Sequence, residues 1–394
     1  MKIVSSERIP IKMWLDDIEE GALQQAKNAA NLPFCFKHIA IMPDSHQGFG
    51  VPIGSVLATK DVIIPYAIGS DVGCGMSAIK TSLIEISKGQ IKKLLGGSKQ
   101  CKGGIRTLMP VGRNHHSKKQ EISLMPNADH IPSSSIIHRE FESARKQIGT
   151  MGGNNHFWEL QKGGDGHIWV MAHTGSRNLG YKVADHYNKL AIELNKKYFS
   201  SVPASHQLAF LPLDSEEGQL YFQEMQYCVD FALASRKLII ENTKQCFLEI
   251  FPDVKFDDII NIAHNYARME NHFGSNVMVH RKGATSARNG EIGIIPGSQG
   301  STSYITKGKG NPESFCSCSH GAGRVMSRTK AENNLNLEEE IKRLDDQGII
   351  HGMRTQKDVQ EAVSCYKDIS IVMAQQSDLT DIVVELKPLA VIKG

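Results

Sequence analysis

Residues 156–173 read HFWELQKGGDGHIWVMAH. FWELQ (157–161) and HIWVM (167–171) carry the large apolar and aromatic side chains of strands, and KGGDG (162–166) supplies the turn of a hairpin. The midpoint of 156 and 173 falls inside that turn. Antiparallel pairing therefore sets His156 and His173 side by side at the open end of the hairpin. Two imidazoles placed that way suit metal ligation, although two unrelated loop histidines would leave the same sequence.

Outward from the hairpin, helices and short strands alternate. Asp16 to about Asn31 has an acidic first turn and Leu23, Ala26 and Ala30 at helical spacing, with Pro33 as a stop. HIAIM, GSVLAT, DVIIP and MSAIKT read as strands cut by Gly and Pro. Helices are expected over about 178–199 and 214–250, the second with an apolar stripe through Leu220, Met225, Cys228, Phe231 and Leu238. Strands follow at 258–263, 275–280 and 291–295, then helices around 337–346 and 357–375, and a terminal strand IVVELKPLAVIKG. No fixed repeat and no Pro- or Ser-rich linker divides the chain. The expectation is one interleaved α/β (α+β) unit over residues 1–394.

Composition narrows the class. A chain of 394 residues buries roughly 75% of its unfolded surface, so folding needs neither disulfide nor metal. Lys plus Arg is 45 against 42 Asp plus Glu, which excludes a polybasic protein but leaves room for a local basic patch. The stretch from Lys88 to Lys119 is such a patch: nine basic residues (88, 92, 93, 99, 102, 106, 113, 118, 119) and no acid. It is either a solvated face or a surface for phosphates. The start lacks a signal-peptide pattern and no run reaches ~20 apolar residues, so no membrane association is expected. Eight scattered cysteines without a CxxC pair suit reduced thiols in the cytoplasm.

Two further clusters carry chemistry. In IGSDVGCGM, Asp71 and Cys74 are three apart among glycines that let the backbone turn both toward one point. A thiolate and a carboxylate suit a divalent ion, and sulfur can bridge two; a buried structural Cys beside a turn Asp reads equally well. His264, in NIAHNYARME at a strand end, is a third imidazole or an ordinary core histidine. The other cluster is VHRKGATSAR (279–288), IIPGSQGSTSY (294–304) and CSCSHGAGRVMSR (316–328). Its Gly loops offer backbone N–H groups to a phosphate, and Arg281, Lys282 and Arg324 offer charge. Walker A, HExxH and lysine-nucleotidyl KxDG sequences are absent, which disfavours P-loop NTPases, zincin proteases and lysine-adenylylating ligases.

Together these stretches resemble the RtcB family of RNA ligases, which use GTP and manganese. PDSHQG (43–48), SDVGCGM, NNHFWEL, HTGSRNLG, AHNY, HRKGA, IPGS, SCSHGAGRVMSRTKA and the terminal VIKG follow the family's order over nearly the whole chain. The resemblance implies β-sheets with flanking helices around a metal-containing cleft. It makes Asp71, Cys74 and His156 ligands of one manganese and Cys74, His173 and His264 ligands of a second. His320 would be the nucleophile that takes GMP. The guanylate site would use Asn155, His156, Phe157, Trp158, Glu159, His264, Asn265, Pro296, Gly297, Ser298, Gln299, Ser303, His320, Gly321, Ala322, Gly323 and Lys393. Glu159 would accept from the N1–H and exocyclic amine of guanine and so select GTP.

The implied reaction joins RNA with a 2′,3′-cyclic phosphate or 3′-phosphate to RNA with a 5′-hydroxyl, through histidine–GMP and RNA(3′)pp(5′)G, in tRNA splicing or RNA repair. An activating protein partner is left open. RNA contacts are expected from Lys92, Lys93, Lys99, Arg177 and Arg281. Asn154, Gln299 and the Gln47-Gly48-Phe49 run depart from the family's usual residues, and 82–148 is shorter than in bacterial members, which bears on the choice of RNA. The alternatives are an end-modifying nucleotidyltransferase or phosphodiesterase that does not seal, and a non-catalytic RNA-binding protein.

Overall fold

The computed structural model describes residues 1–96 and 104–394. Two antiparallel sheets dominate. The larger runs, in spatial order, Ile260–Ala263, Gly75–Lys80, Ile168–Thr174, Phe157–Gly163, Thr380–Lys393, Ser303–Gly308 and Ile292–Ile295. The other runs Lys2–Val4, Ile11–Met13, Cys35–His46, Ile53–Thr59, Ser275–Lys282 and Asn265–His272, with one parallel pair between its second and third strands.

The hairpin forms at the centre of the larger sheet, and both of its faces are covered. Trp158, Leu160, Val170 and Ala172 pack under Ile239, Ile240 and Phe247 of the helix Glu216–Ile250. Phe157, Trp169 and Met171 look the other way, toward Met76, Ile294 and Leu386. Period-2 alternation thus sends odd-numbered residues of the first strand to one face and even-numbered ones to the helix layer. The long helix starts at Ser215, whose hydroxyl accepts from Gly218 N–H at 3.0 Å, with Glu216 and Glu217 in its first turn.

Several expectations change in detail. The first helix spans Glu20–Ala30 rather than starting at Asp16. Trp14 N–H still donates to Ile41 O, and the Lys2 ammonium holds Asp16, so the chain leaves the sheet late. Residues 357–375 are no single helix: two 3₁₀ turns, Gln356–Glu361 and Val363–Cys365, precede the α-helix Ile369–Gln375. Val325 N–H donates to Cys365 O and Lys367 N–H to Gly323 O, so tertiary pairing pulls the middle of the segment straight. The strand Asn265–His272 was not expected. It joins Ser275–Lys282 through Phe273 and Gly274, both at positive φ (51° and 75°), a type I′ turn with an unusual first residue.

Trp158 is fully buried, and its indole N–H donates to Thr243 Oγ1 at 3.1 Å. It is therefore core, not a guanylate contact, because it faces the helix layer while its neighbours Phe157 and Glu159 face the cleft. Trp158→Ala is expected to cost about 3–5 kcal/mol of stability, read as a lower urea midpoint with an unchanged m value.

Candidate functional site

The two sheets are joined through one residue. Ile260–Ala263 ends on the edge of the larger sheet, Asn265–His272 begins on the edge of the other, and only His264 lies between. Its backbone is held at both ends: His264 N–H donates to Cys74 O at 2.8 Å, and His264 O accepts from Ala284 N–H at 3.2 Å. Cys74 in turn precedes the strand Gly75–Lys80, whose Gly75 pairs with Ala263. Gly73, at φ +73°, lets this turn lie on the long helix; a Cβ there would sit 2.8 Å from Val229 Cα. The buried Arg236 of that helix donates to Gly73 O at 2.9 Å and Thr174 O at 2.8 Å, tying together the segments that carry Cys74 and His173.

Five side chains converge above this junction. Cys74 Sγ lies 3.3 Å from His156 Nε2 and 3.2 Å from His173 Nε2. His156 Nε2 is 2.9 Å from Asp71 Oδ2, and His173 Nε2 is 3.3 Å from His264 Nε2. They form two groups of donors sharing the thiol, Asp71–Cys74–His156 and Cys74–His173–His264, with ligand atoms within 4.8 Å of one another in each. A Cβ at Gly175 would stand 2.1 Å from Asp71 Oδ1, so only glycine lets that carboxylate approach. The hairpin register differs by one residue from the expected one: His173 pairs with Phe157, and His156 lies just before the strand. The rings still meet, at 5.1 Å between centroids.

The protonation states fit a cation. His173 Nδ1–H donates to Asn155 O at 3.1 Å, which leaves the Nε2 lone pair facing the thiol. Burial holds His173 and His264 well below the ordinary imidazole value, so both are neutral. Burial opposes the Asp71 carboxylate, yet His156 beside it holds the carboxyl below its ordinary value. Burial and the Asp71 charge push the Cys74 thiol well up, a state that a bound cation reverses. A half-buried carboxylate, a buried thiol and three buried imidazole nitrogens aimed at each other suit divalent metal binding.

His320 stands beside this cluster, its ring 4.7 Å from that of His264. It follows the strand Ser317–Ser319, which pairs with Ala284–Ser286 just beyond the sheet junction. Its Nδ1–H donates to Asp44 Oδ2 at 2.6 Å, so Nε2 is free. The same oxygen accepts from His320 N–H at 3.1 Å and Gly321 N–H at 3.2 Å. Asp44 is fully buried. Burial opposes its charge, but contact with His320 and the nearby Lys367 ammonium hold the carboxyl below its ordinary value. Asp44 lies in PDSHQG, and nothing in the sequence ties it to a histidine 276 positions away.

A cleft of about 930 Å³ opens over these groups. Asn155, Phe157, Glu159, Asn265, Pro296, Gly297, Ser298, Gln299, Gly321, Ala322, Gly323 and Lys393 line it. Glu159 accepts from Gln161 Nε2–H, and burial raises its carboxyl to about 8. Lys393, one residue from the end of the sequence, pairs with Phe157 in the larger sheet, and its ammonium meets Glu361 at 3.2 Å. Glu361, which the sequence did not single out, also pairs with Arg324 at 3.2 Å and Arg328 at 2.9 Å.

Other expected residues fall elsewhere. Ser303 stands behind the 296–299 loop, its hydroxyl accepting from Gly297 N–H at 3.1 Å. Arg281 is fully buried and forked onto Glu270 at 2.6 and 3.1 Å, which removes it from any RNA path. Arg177 is half-buried, donating to Thr150 Oγ1 and Gly112 O. Lys92 and Lys93 are exposed on the helix Lys88–Gly96 and do not line the cleft. Lys99 lies outside the described residues.

Fold and site together define a protein of two large sheets with a thiol-centred cluster of groups that could hold a metal and an oriented histidine in one cleft. Residues 25–394 match the family described as tRNA-splicing ligase RtcB. The chain is 36% identical to RNA-splicing ligase RtcB of Escherichia coli K12, over all of this chain and 99% of that protein. It is 31% identical to tRNA-splicing ligase RtcB of Nanoarchaeum equitans, over all of this chain and 95% of that protein. RNA-splicing ligase RtcB homolog 1 of Entamoeba dispar is 33% identical, over 95% of this chain and 82% of that protein. The chain belongs to the RtcB family.

Because both donor groups share Cys74, Cys74→Ala should weaken divalent-metal binding at least tenfold at each. His156→Ala should weaken one group only. Calorimetric titration with Mn²⁺, cross-checked with Co²⁺ absorption, distinguishes the two.

Proposed function

We propose that this chain is a GTP-dependent RNA ligase that joins a 2′,3′-cyclic phosphate or 3′-phosphate end to a 5′-hydroxyl end. One observation carries the reading: His320, its Nδ1–H held by Asp44, has its Nε2 free in a cleft beside the metal-ligating cluster. Asp71, Cys74, His156, His173 and His264 would hold two manganese ions, which supply neutralisation of phosphate oxygens and polarisation of the incoming oxygen.

Each proposed step has a group on this chain to serve it. His320 Nε2 attacks the α-phosphorus of GTP; the P–N bond forms, the α–β P–O bond breaks and pyrophosphate leaves. Asp44 keeps the imidazole in the reactive tautomer and offsets the charge it gains. With His320 and Gly321 N–H committed to Asp44, Ala322 and Gly323 are the loop's remaining backbone donors toward phosphate. Glu159 meets the guanine edge, and Arg324, Arg328 and Lys393 around Glu361 supply positive charge to the nucleotide.

A 2′,3′-cyclic phosphate would first be opened by water, whose oxygen bonds to phosphorus as the P–O2′ bond breaks and the 2′-oxygen takes up a proton. The RNA 3′-phosphate oxygen then attacks the phosphoramidate phosphorus, the P–N bond breaks and RNA(3′)pp(5′)G forms. The 5′-hydroxyl oxygen attacks the RNA 3′-phosphorus, its proton is lost and GMP departs. Lys92 and Lys93, exposed outside the cleft, would meet outlying RNA phosphates, and half-buried Arg177 would contribute its charge from nearer the cleft. The setting is tRNA splicing or RNA repair in the cytoplasm, with or without an activating protein.

Incubation with α-labelled GTP and Mn²⁺ should leave acid-labile, alkali-stable label on the chain, seen on a denaturing gel. His320→Ala should abolish that label yet still seal RNA bearing a preformed guanylylated 3′ end. A label that persists in His320→Ala rejects the nucleophile, and labelling without sealing by the wild-type chain would leave an end-modifying nucleotidyltransferase.

The Glu159 carboxyl, raised to about 8, also sets a pH dependence. A carboxylate that must accept from guanine has to lose its proton on binding. GTP affinity should therefore rise by up to tenfold per unit from pH 6 toward 8 and level off above. Glu159→Gln should weaken binding and flatten that profile, measured as Kd for GTP against pH. The same raised value works against the fold, whose contribution from protonated Glu159 is full below about 4.5 and lost as pH rises through about 8.

A further inference from the structure

We propose that Phe49, Tyr66 and Tyr181 form a stacking platform for the nucleobases next to the RNA ends being joined, an inference that rests on the RNA-ligase reading above. Single exposed rings need no explanation, but exposed rings grouped at the mouth of one cleft point to something they meet. Phe49 is 69% exposed and Tyr181 55% exposed, and both line the same cleft as Asp71, His264 and His320. Tyr66 lines it as well, its ring centroid 6.5 Å from that of Phe49 with the planes tilted by 42°.

The rings are held from beneath. Lys282 is buried, and its ammonium donates to the carbonyls of Phe49, Val51 (3.3 Å) and Tyr66 (3.1 Å). All three of its N–H bonds are thereby spent on the two segments that carry Phe49 and Tyr66. Lys282 is thus a strut for the rim rather than a donor to phosphate. Gly50, at φ +73°, closes the Phe49 loop onto the neighbouring turn: a Cβ there would lie 2.7 Å from Gln207 O and 3.2 Å from Tyr66 Cβ. Tyr181 comes from the helix Arg177–Lys197, which packs on the Pro65–Ala67 turn.

The chemistry of the rim selects bases rather than phosphates. Glu19 lies on it, accepting from Gln47 N–H at 3.0 Å, and would repel a phosphate. Ring faces at a cleft mouth, without a matching hydrogen-bond pattern, favour stacking that tolerates any base. Glu159 and Lys393, the proposed guanylate contacts, sit instead on the larger sheet. The rim rings lie on the loop after Cys35–His46, on the Pro65–Ala67 turn and on a helix.

The test compares end-labelled RNA carrying a normal terminal nucleotide with the same RNA made abasic there. Phe49→Ala and Tyr181→Ala are each expected to weaken binding of normal RNA by roughly 5- to 100-fold, the range of one base–aromatic stack. Phe49→Tyr should restore affinity and Phe49→Leu should not. The abasic RNA should bind wild type as poorly as normal RNA binds the variants, with no further loss in the variants. Equal losses on normal and abasic RNA, or none, would overturn the platform. Wild-type labelling by GTP and sealing run alongside: if both are absent, the ligase reading fails, whereas base-dependent binding would still be scored by the abasic comparison.

Discussion

The whole site depends on a crossing made by one residue. His264 is the only residue between a strand of one sheet and a strand of the other, and its amide and carbonyl are bonded to Cys74 and Ala284. Its backbone is therefore fixed by two sheets at once, with no loop between to relax. Everything else follows from that pin. Cys74 pairs in through Gly75, the hairpin brings His173 in beside it, and Ala284–Ser286 aligns the strand that ends at His320. Metal-ligating groups mounted on sheet ends keep their spacing better than groups on free loops. The buried Arg236 reinforces the same point from below, through the carbonyls of Gly73 and Thr174.

A second constraint is electrostatic. The cleft holds several groups whose charges are costly to bury unless matched. Asp44 is matched by His320, two backbone N–H groups and Lys367, whose ammonium also donates to Pro43 O and Ser45 O. Glu361 meets Arg324, Arg328 and Lys393 and takes a hydrogen bond from Tyr366; burial opposes its charge, but these cations hold its carboxyl down to about 2. Lys282 has carbonyls rather than an acid around it, and burial lowers it to about 7. Matching is incomplete at the candidate metal-ligating cluster and beside it: His156 Nδ1, His264 Nδ1 and Asp44 Oδ1 are buried without hydrogen-bond partners. Such incomplete satisfaction is characteristic of sites built for a ligand.

How much of this was legible in the sequence follows from the range of the interactions. Hairpin spacing placed His156 and His173 together because both ends are set by one local turn, even though the register proved one residue different. The Asp71–Cys74 turn was local as well. His264 had no local signal beyond its strand end, because its role comes from a crossing between sheets that only tertiary pairing creates; the family resemblance supplied it. Asp44 and Glu361 were missed as functional residues for the same reason, each acting on a side chain that is distant in sequence. Trp158 was misplaced by a range that ignored strand alternation, and Arg281 by reading a basic residue as exposed when Glu270 on the neighbouring strand neutralises it.

The balance around Glu361 shows how a single acid organises a basic wall without cancelling it. One carboxylate meets three cations, so the local charge stays positive after every ion pair is counted. Without Glu361 those side chains would repel each other and extend toward solvent. With it they are drawn to one edge of the cleft, and the guanidinium of Arg324 lies 5.3 Å from the centre of the Tyr366 ring. Gln299 Nε2–H donates to Glu361 O at 2.8 Å, which couples the same segment to the 296–299 loop. The terminal strand completes the arrangement: Lys393 is held by sheet pairing on one side and by Glu361 on the other. An edge that is net positive and partly neutralised can receive an anionic group with little rearrangement of its own charges, which is the condition for electrostatic preorganisation.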